Sequence, residues 1–253
     1  MNSDKFYMIK NFKLIIEYDG TDYHGWQRQR NDRTIQQEIE QALSTMTASR
    51  VTLNGSGRTD AGVHAFGQVA NFLCPTDLSE AVILKGLNSL LPDDIVIKDC
   101  RRVDEEFHAR YDVKSKIYHY QIINRNVPSA IGRQYAWFVK RKLNAAAMRS
   151  ALSHIFGSHD FKSFEGTGSP RSHTNRNIIS ADLIEQEDGS LTFKIEADGF
   201  LRYMVRNIVG TLVDVGLGKI TPAQFGDILE SKNRKKASAT APAHGLFLME
   251  VKY

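Results

Sequence analysis

The chain has 253 residues, 42% of them apolar and 25% charged, which fits one or two folded domains and excludes a disordered tract. Its net charge is +4, and its two cysteines, Cys74 and Cys100, are too few for a disulfide framework or a zinc site. No apolar run reaches the roughly 18 residues of a membrane span, and the start of the chain lacks an apolar leader, so a cytoplasmic protein is expected.

Phe12 to Tyr18 alternates in part and is rich in Ile and Phe, which predicts a strand. Thr34 is a candidate N-cap for a helix that places Ile35, Ile39, Ala42, Leu43 and Met46 on one face. Val51 to Leu53 and Gln68 to Leu73 read as strands on either side of a glycine-rich loop. Leu78 to Leu91 reads as a helix stopped by Pro92, and Ile95 to Val103 as a further strand. This β-α-β-β-α-β order is that of a ferredoxin-like unit. The remainder echoes it. Lys116 to Ile123 and Gln134 to Val139 predict strands, Leu143 to Phe156 a helix, and Phe161 to Arg176 a long loop. Ile178 to Glu185 and Leu191 to Glu196 suit a hairpin around Asp188-Gly189. Leu201 to Val215 and Pro222 to Leu229 predict helices, and Phe247 to Tyr253 a last strand. The expected fold is α+β. It has two ferredoxin-like (RRM-like) halves, residues 1–108 and 109–253, joined through a mainly antiparallel central sheet with the active-site cleft between them.

Charge is uneven along the chain. Arg101 to Arg176 holds fourteen Lys or Arg against six Asp or Glu, a net of +8, which leaves −4 for the rest. Aromatic residues interleave with these charges, among them Phe107, Tyr111, Tyr118, Tyr120 and Trp137. Such a surface suits a polyanion with stackable bases. A solvated surface around core aromatics explains the same pattern.

The segment richest in chemistry is Asn54 to His64, with Gly55, Gly57 and Gly62. It is not a phosphate loop, because Val63-His64 follows Gly62 where Lys-Ser/Thr is needed, and Asp60 stands at the third glycine of a dinucleotide fingerprint. It is not a serine elbow either, since Ser56 directly follows Gly55. Arg58 and Asp60 remain. They are either a turn-capping Asp with its paired Arg, or an ionised carboxylate presented as nucleophile or base. No second acid lies in the loop, which argues against simple glycoside hydrolysis. There is no Cys-x-x-Cys and no His-Glu-x-x-His, so neither metal nor nucleotide cofactor is expected.

Gly55 to His64, followed by Gly67-Gln68-Val69-Ala70-Asn71-Phe72, resembles the active-site signature of the tRNA pseudouridine synthase A family. Five further segments agree in order along nearly the whole chain. They are Glu17 to Thr21 with His24 to Gln29, Thr34-Ile35-Gln36, Phe107 to Arg110 with Lys116 to Tyr120, Gly199 to Gly210, and Ala241 to Leu246. The resemblance implies redox-neutral isomerisation of uridine in tRNA, without a cofactor. It implies Asp60 as the carboxylate that attacks C1′ or C6, or takes a proton from C2′. It implies Arg58 as an aid to base displacement or a phosphate contact, and Arg206 as the partner that keeps Asp60 charged. It also implies Tyr118 stacked on the uracil, with its hydroxyl a candidate for C5 deprotonation, and Leu246 as an apolar wall. Arg202 joins the substrate-binding set, four residues before Arg206 on one predicted helix. A target at about positions 38 to 40 of the anticodon stem-loop and a homodimer gripping one tRNA are implied too.

Outside the resemblance, Tyr118 and Leu246 would read as core residues, and Arg202 and Arg206 as a solvated or phosphate-binding face. Trp26 with Gln27 to Arg30 is either an RNA contact or a loop. His24 and His64 read as structural, and the basic run Lys232 to Lys236 as solvated. Arg171 and Arg176 are candidate RNA contacts, because long loops in compact domains are commonly functional. The competing function is a non-catalytic tRNA-binding or RNA-chaperone module, which does not need Asp60. A metal-dependent nuclease would need clustered carboxylates, and none is seen.

Overall fold

The computed structural model describes residues 8–168 and 173–253. The chain divides into two compact units. The first runs to Lys114 and takes back Met249–Tyr253; the second is Ser115–Leu248.

The first unit contains β1 (Ile9–Tyr18), α1 (Ile35–Thr47), β2 (Asn54–Gly55), β3 (His64–Pro75), α2 (Glu80–Leu90) and β4 (Ile95–Val103). β1 is central. Its Leu14 stands opposite Ala70 of β3 and Cys100 of β4, both antiparallel, and β2 pairs with β3 at Asn71 and Ala70. The order β4-β1-β3-β2 is the ferredoxin-like arrangement expected. Alternation does the work in β1, where Phe12, Leu14, Ile16 and Tyr18 are all buried. α1 lays Ile35, Ile39, Ala42 and Leu43 into the core. Thr34 has the extended backbone of an N-cap, yet its buried hydroxyl makes no hydrogen bond. Val51 to Leu53 is not a strand. Leu53 N donates to Glu40 Oε1 and Leu53 O accepts from Gln36 Nε2, so side chains of α1 take the bonds a ladder would have used.

The second unit contains β5 (Ser115–Ile123), β6 (Trp137–Phe138), α3 (Ala145–Leu152), β7 (Gly157–Asp160), β8 (Asn175–Glu185), β9 (Ser190–Ala197), α4 (Met204–Gly216) and α5 (Pro222–Glu230). It also holds the start of β10 (Leu246–Lys252). β5 pairs with β9, β9 with β8 and β8 with β7, all antiparallel; β6 pairs with β5 in parallel. The series β5-α3-β8-β9-α4-β10 repeats the β-α-β-β-α-β order. α4 is buried nearly all round, and at Gly210 a Cβ would lie 1.9 Å from Ala239 O, so only glycine fits there.

Three expectations for this unit are corrected. Gln134 to Val139 is a 3₁₀ turn, Arg133–Tyr135, followed by the two-residue β6. The helix from Leu143 is shorter, because Asn144 caps it and the chain tightens into a 3₁₀ turn at Ser153–Ile155. The loop Phe161 to Arg176 opens on a 3₁₀ turn, Phe161–Phe164, whose two phenylalanines are wholly buried. Those two apolar residues belong to the core, while Lys162 between them is exposed. Ser163 Oγ donates to Ile228 O at 2.6 Å and locks the turn to α5.

Candidate active site

The loop between β2 and β3 is fastened along its length. Ser56 N donates to Val69 O at 2.7 Å, and Ser56 Oγ to Gln68 Oε1 at 2.6 Å. Gln68, itself fully buried, donates back from Nε2 to Gly57 O at 3.1 Å. Thr59 is held twice: Trp26 N donates to its carbonyl at 3.1 Å, and its hydroxyl shares a 2.7 Å hydrogen bond with Tyr18 Oη. Burial pushes the Tyr18 hydroxyl far above its ordinary pKa, so this bond is between neutral groups. The next turn closes with Val63 N to Asp60 O at 3.2 Å and Gly62 N to Tyr23 O at 3.3 Å. Gly20 N reaches His64 Nδ1 at 3.0 Å. Asp60 is thus a half-buried carboxylate on a backbone fixed on both sides. A rigid, partly desolvated carboxylate of this kind can act as nucleophile or base.

Arg58 is exposed. Its Nε donates to Gln27 Oε1 at 2.9 Å, and it makes no ion pair with Asp60, so the turn-capping Arg-Asp pair is not formed. Gln27, which lies in the His24 to Gln29 segment and in the polar run Gln27 to Arg30, thus orients Arg58.

In the second unit Tyr118 lies on β5 opposite Ile195 and is mostly buried. Its ring meets Phe200 edge-on at 5.0 Å between centroids. Leu246 is buried at the start of β10. Arg206, on the first turn of α4, donates from Nε to Ala241 O at 2.8 Å. Arg202 does not share that helix, which starts at Met204 because Tyr203 takes the left-handed conformation, φ 61°. A residue so placed costs about 1–3 kcal/mol. Arg202 and Arg206 nevertheless meet at the Tyr203 ring, 4.6 and 5.0 Å from its centroid. Tyr203 falls within the Gly199 to Gly210 segment, but no sequence signal assigned it a part of its own.

Other candidates fall elsewhere. Trp26 is buried 6.2 Å from the Tyr18 ring and is a core anchor. Arg28 pairs with buried Glu40 at 2.7 Å, at an open pocket of about 670 Å³ that Arg30 and Arg50 also line. In the basic run, Arg234 is not solvated: it donates to Ala237 O, Ser238 O, Asn207 Oδ1 and Thr240 Oγ1. Arg176 stands on β8, half-buried, beside His173. Arg171 lies outside the described residues. Cys100 is buried, which pushes its thiol up to about 12 and disfavours the reactive thiolate. Among the described residues no group of three or more His, Cys, Asp or Glu is placed to hold a metal ion, and no helix is long and apolar enough to cross a membrane.

The family model described as tRNA pseudouridine synthase matches residues 14–112 and 151–253. The tRNA pseudouridine synthase A of Acetivibrio thermocellus is 49% identical over 245 residues, spanning 97% of this chain and 100% of that protein. The proteins of the same name from Clostridium acetobutylicum and Thermoanaerobacter sp. are 45% and 44% identical, each over 97% of this chain and 100% of their own length.

Proposed function

Because the chain belongs to the tRNA pseudouridine synthase family, isomerases that act on uridine in tRNA, we propose that Asp60 carries this chemistry, on uridines at about positions 38 to 40 of the anticodon stem-loop. The reaction is redox-neutral. The N1–C1′ bond breaks, C5 joins C1′, and the C5 proton is lost while N1 gains one. A carboxylate suffices for it, by attack at C1′ or C6 or by taking the C2′ proton. The observation that carries the reading is the loop itself. Five residues from two stretches outside the loop, Tyr18, Tyr23 and Trp26 before it and Gln68 and Val69 after it, hold it so that half-buried Asp60 is presented on a fixed backbone. Preorganisation of this kind is what a carboxylate acting on one bond requires.

The other residues take supporting parts. Arg58, exposed beside Asp60, fills the place of a displaced base or contacts phosphate as the target nucleotide leaves the stem. Tyr118 stacks on the uracil, and Leu246 gives the pocket an apolar wall. Arg206 is the cation that keeps the carboxylate ionised during turnover. Arg202 and Arg176 contact phosphate. The active species is a cytoplasmic homodimer that grips one tRNA with both subunits, without metal or cofactor.

Unmodified tRNA transcripts with uridine at each of these positions test the target. Carbodiimide adducts read by reverse transcription should map pseudouridine there, and cytidine replacements should remove the signal. Pseudouridine formed only outside the anticodon arm would reject this assignment.

A further inference from the structure

Tyr203 lies between Arg202 and the first residue of α4. It stands at the N-cap of α4 with φ 61° and ψ 2°, and its side chain makes no cap hydrogen bond. Ser, Thr, Asp or Asn would serve that position better. A bulky side chain in the left-handed region is a genuine outlier, and such outliers gather where function requires them.

The unusual backbone fixes the ring. Gly166 makes room for it: a Cβ there would lie 2.5 Å from Tyr203 Cδ2, and Gly166 N donates to Arg202 O at 2.7 Å. Two guanidinium groups meet the ring, Arg202 at 4.6 Å and Arg206 at 5.0 Å from the centroid. Arg202 Nη2 also donates to Tyr203 Oη at 3.0 Å. The ring and Ala241 O, which accepts from Nε at 2.8 Å, both hold Arg206. A helical backbone at residue 203 would swing the ring away and remove one of the contacts that orient that guanidinium.

We propose that Tyr203 is a positioning residue of the isomerisation, its left-handed backbone placing the ring that holds Arg206 in its working orientation. The inference rests on the assignment of Arg206 to the reaction.

Tyr203→Asn tests it, because Asn tolerates the left-handed conformation and removes the ring. Tyr203→Gly serves as a second ring-free variant should Asn perturb folding. The melting temperature should hold or rise, and tRNA affinity should stay within about twofold of the parent, since both guanidinium groups are kept. The kcat should fall on the order of tenfold to a hundredfold, as for a misplaced catalytic group. Tyr203→Phe should recover most of that kcat. In an Arg206→Gln background, Tyr203→Asn should cost nothing further, because both changes remove one function. Parental kcat in both ring-free variants, with Arg206→Gln impaired, would overturn the proposal, and so would losses that multiply in the double variant. If Arg206→Gln itself turns over normally, the assignment of Arg206 fails and the inference falls with it.

Discussion

Gly25 has φ +90°, and a Cβ there would lie 2.6 Å from Thr59 O, the carbonyl that Trp26 N holds. Gly25→Ala should destabilise the protein by about 1–3 kcal/mol in denaturant unfolding. It should also slow turnover, because Thr59 immediately precedes Asp60; an unchanged unfolding midpoint would show that the two segments are not coupled in this way. Tyr118→Ala should act differently. It removes one stacking partner and no charge, so the salt dependence of tRNA binding should hold while turnover collapses, read by fluorescence titration beside single-turnover assays. Asp60, Arg58 and the glycines were legible as residue types at a spacing. Their fastening was not, because it runs through Tyr18, Trp26 and Gln68, whose side-chain and backbone partners lie many positions away. The left-handed Tyr203 was equally hidden, since no local pattern marks a tyrosine for that conformation.

The 3₁₀ turn Phe161–Phe164 shows how an element escapes a sequence reading. A run containing Lys162, Ser163, Gly166 and Gly168 suggests a loop, yet Phe161 and Phe164 are fully buried and Asp160 caps the turn onto Lys162 N. Burial pushes the Asp160 carboxyl up, but hydrogen bonds from Thr174 Oγ1 and Lys162 N and the charge of Lys232 outweigh it and hold its pKa below the ordinary 3.8. With the folded value below the unfolded one, this stabilisation is complete above 3.8 and drains as pH falls through the folded value. Asp160→Asn should therefore be less stable than the parent near neutrality, and the gap should close in acid; a gap constant with pH would assign the loss to packing. Phe164→Ala should cost about 3–5 kcal/mol, measured by the same unfolding curves. The regular elements were easier to read. β1, β4, β9 and α5 lie within a few residues of their predicted bounds because alternation, helical period and the Thr221-Pro222 start are local signals. Val51 to Leu53 misled because its backbone partners are side chains of α1.

The molecule carries its positive charge unevenly, with a net of +8 between Arg101 and Arg176 against +4 overall. Binding of tRNA should weaken steeply with salt, because each neutralised phosphate releases counterions. Arg176→Ala should flatten the slope of log affinity against log salt by roughly one and leave turnover intact at saturating tRNA; an unchanged slope places Arg176 away from the RNA. The recurrence of β-α-β-β-α-β was legible along the whole chain, since each half repeats it with its own apolar pattern. The additions β6, β7 and α5 follow no such template. The account turns on Asp60, and tritium release from tRNA labelled at uridine C5 tests it most directly. The wild-type protein should release tritium, and Asp60→Asn should release none while binding the same tRNA with undiminished affinity. Tritium release by Asp60→Asn at the wild-type rate would contradict the assignment of the chemistry to this carboxylate.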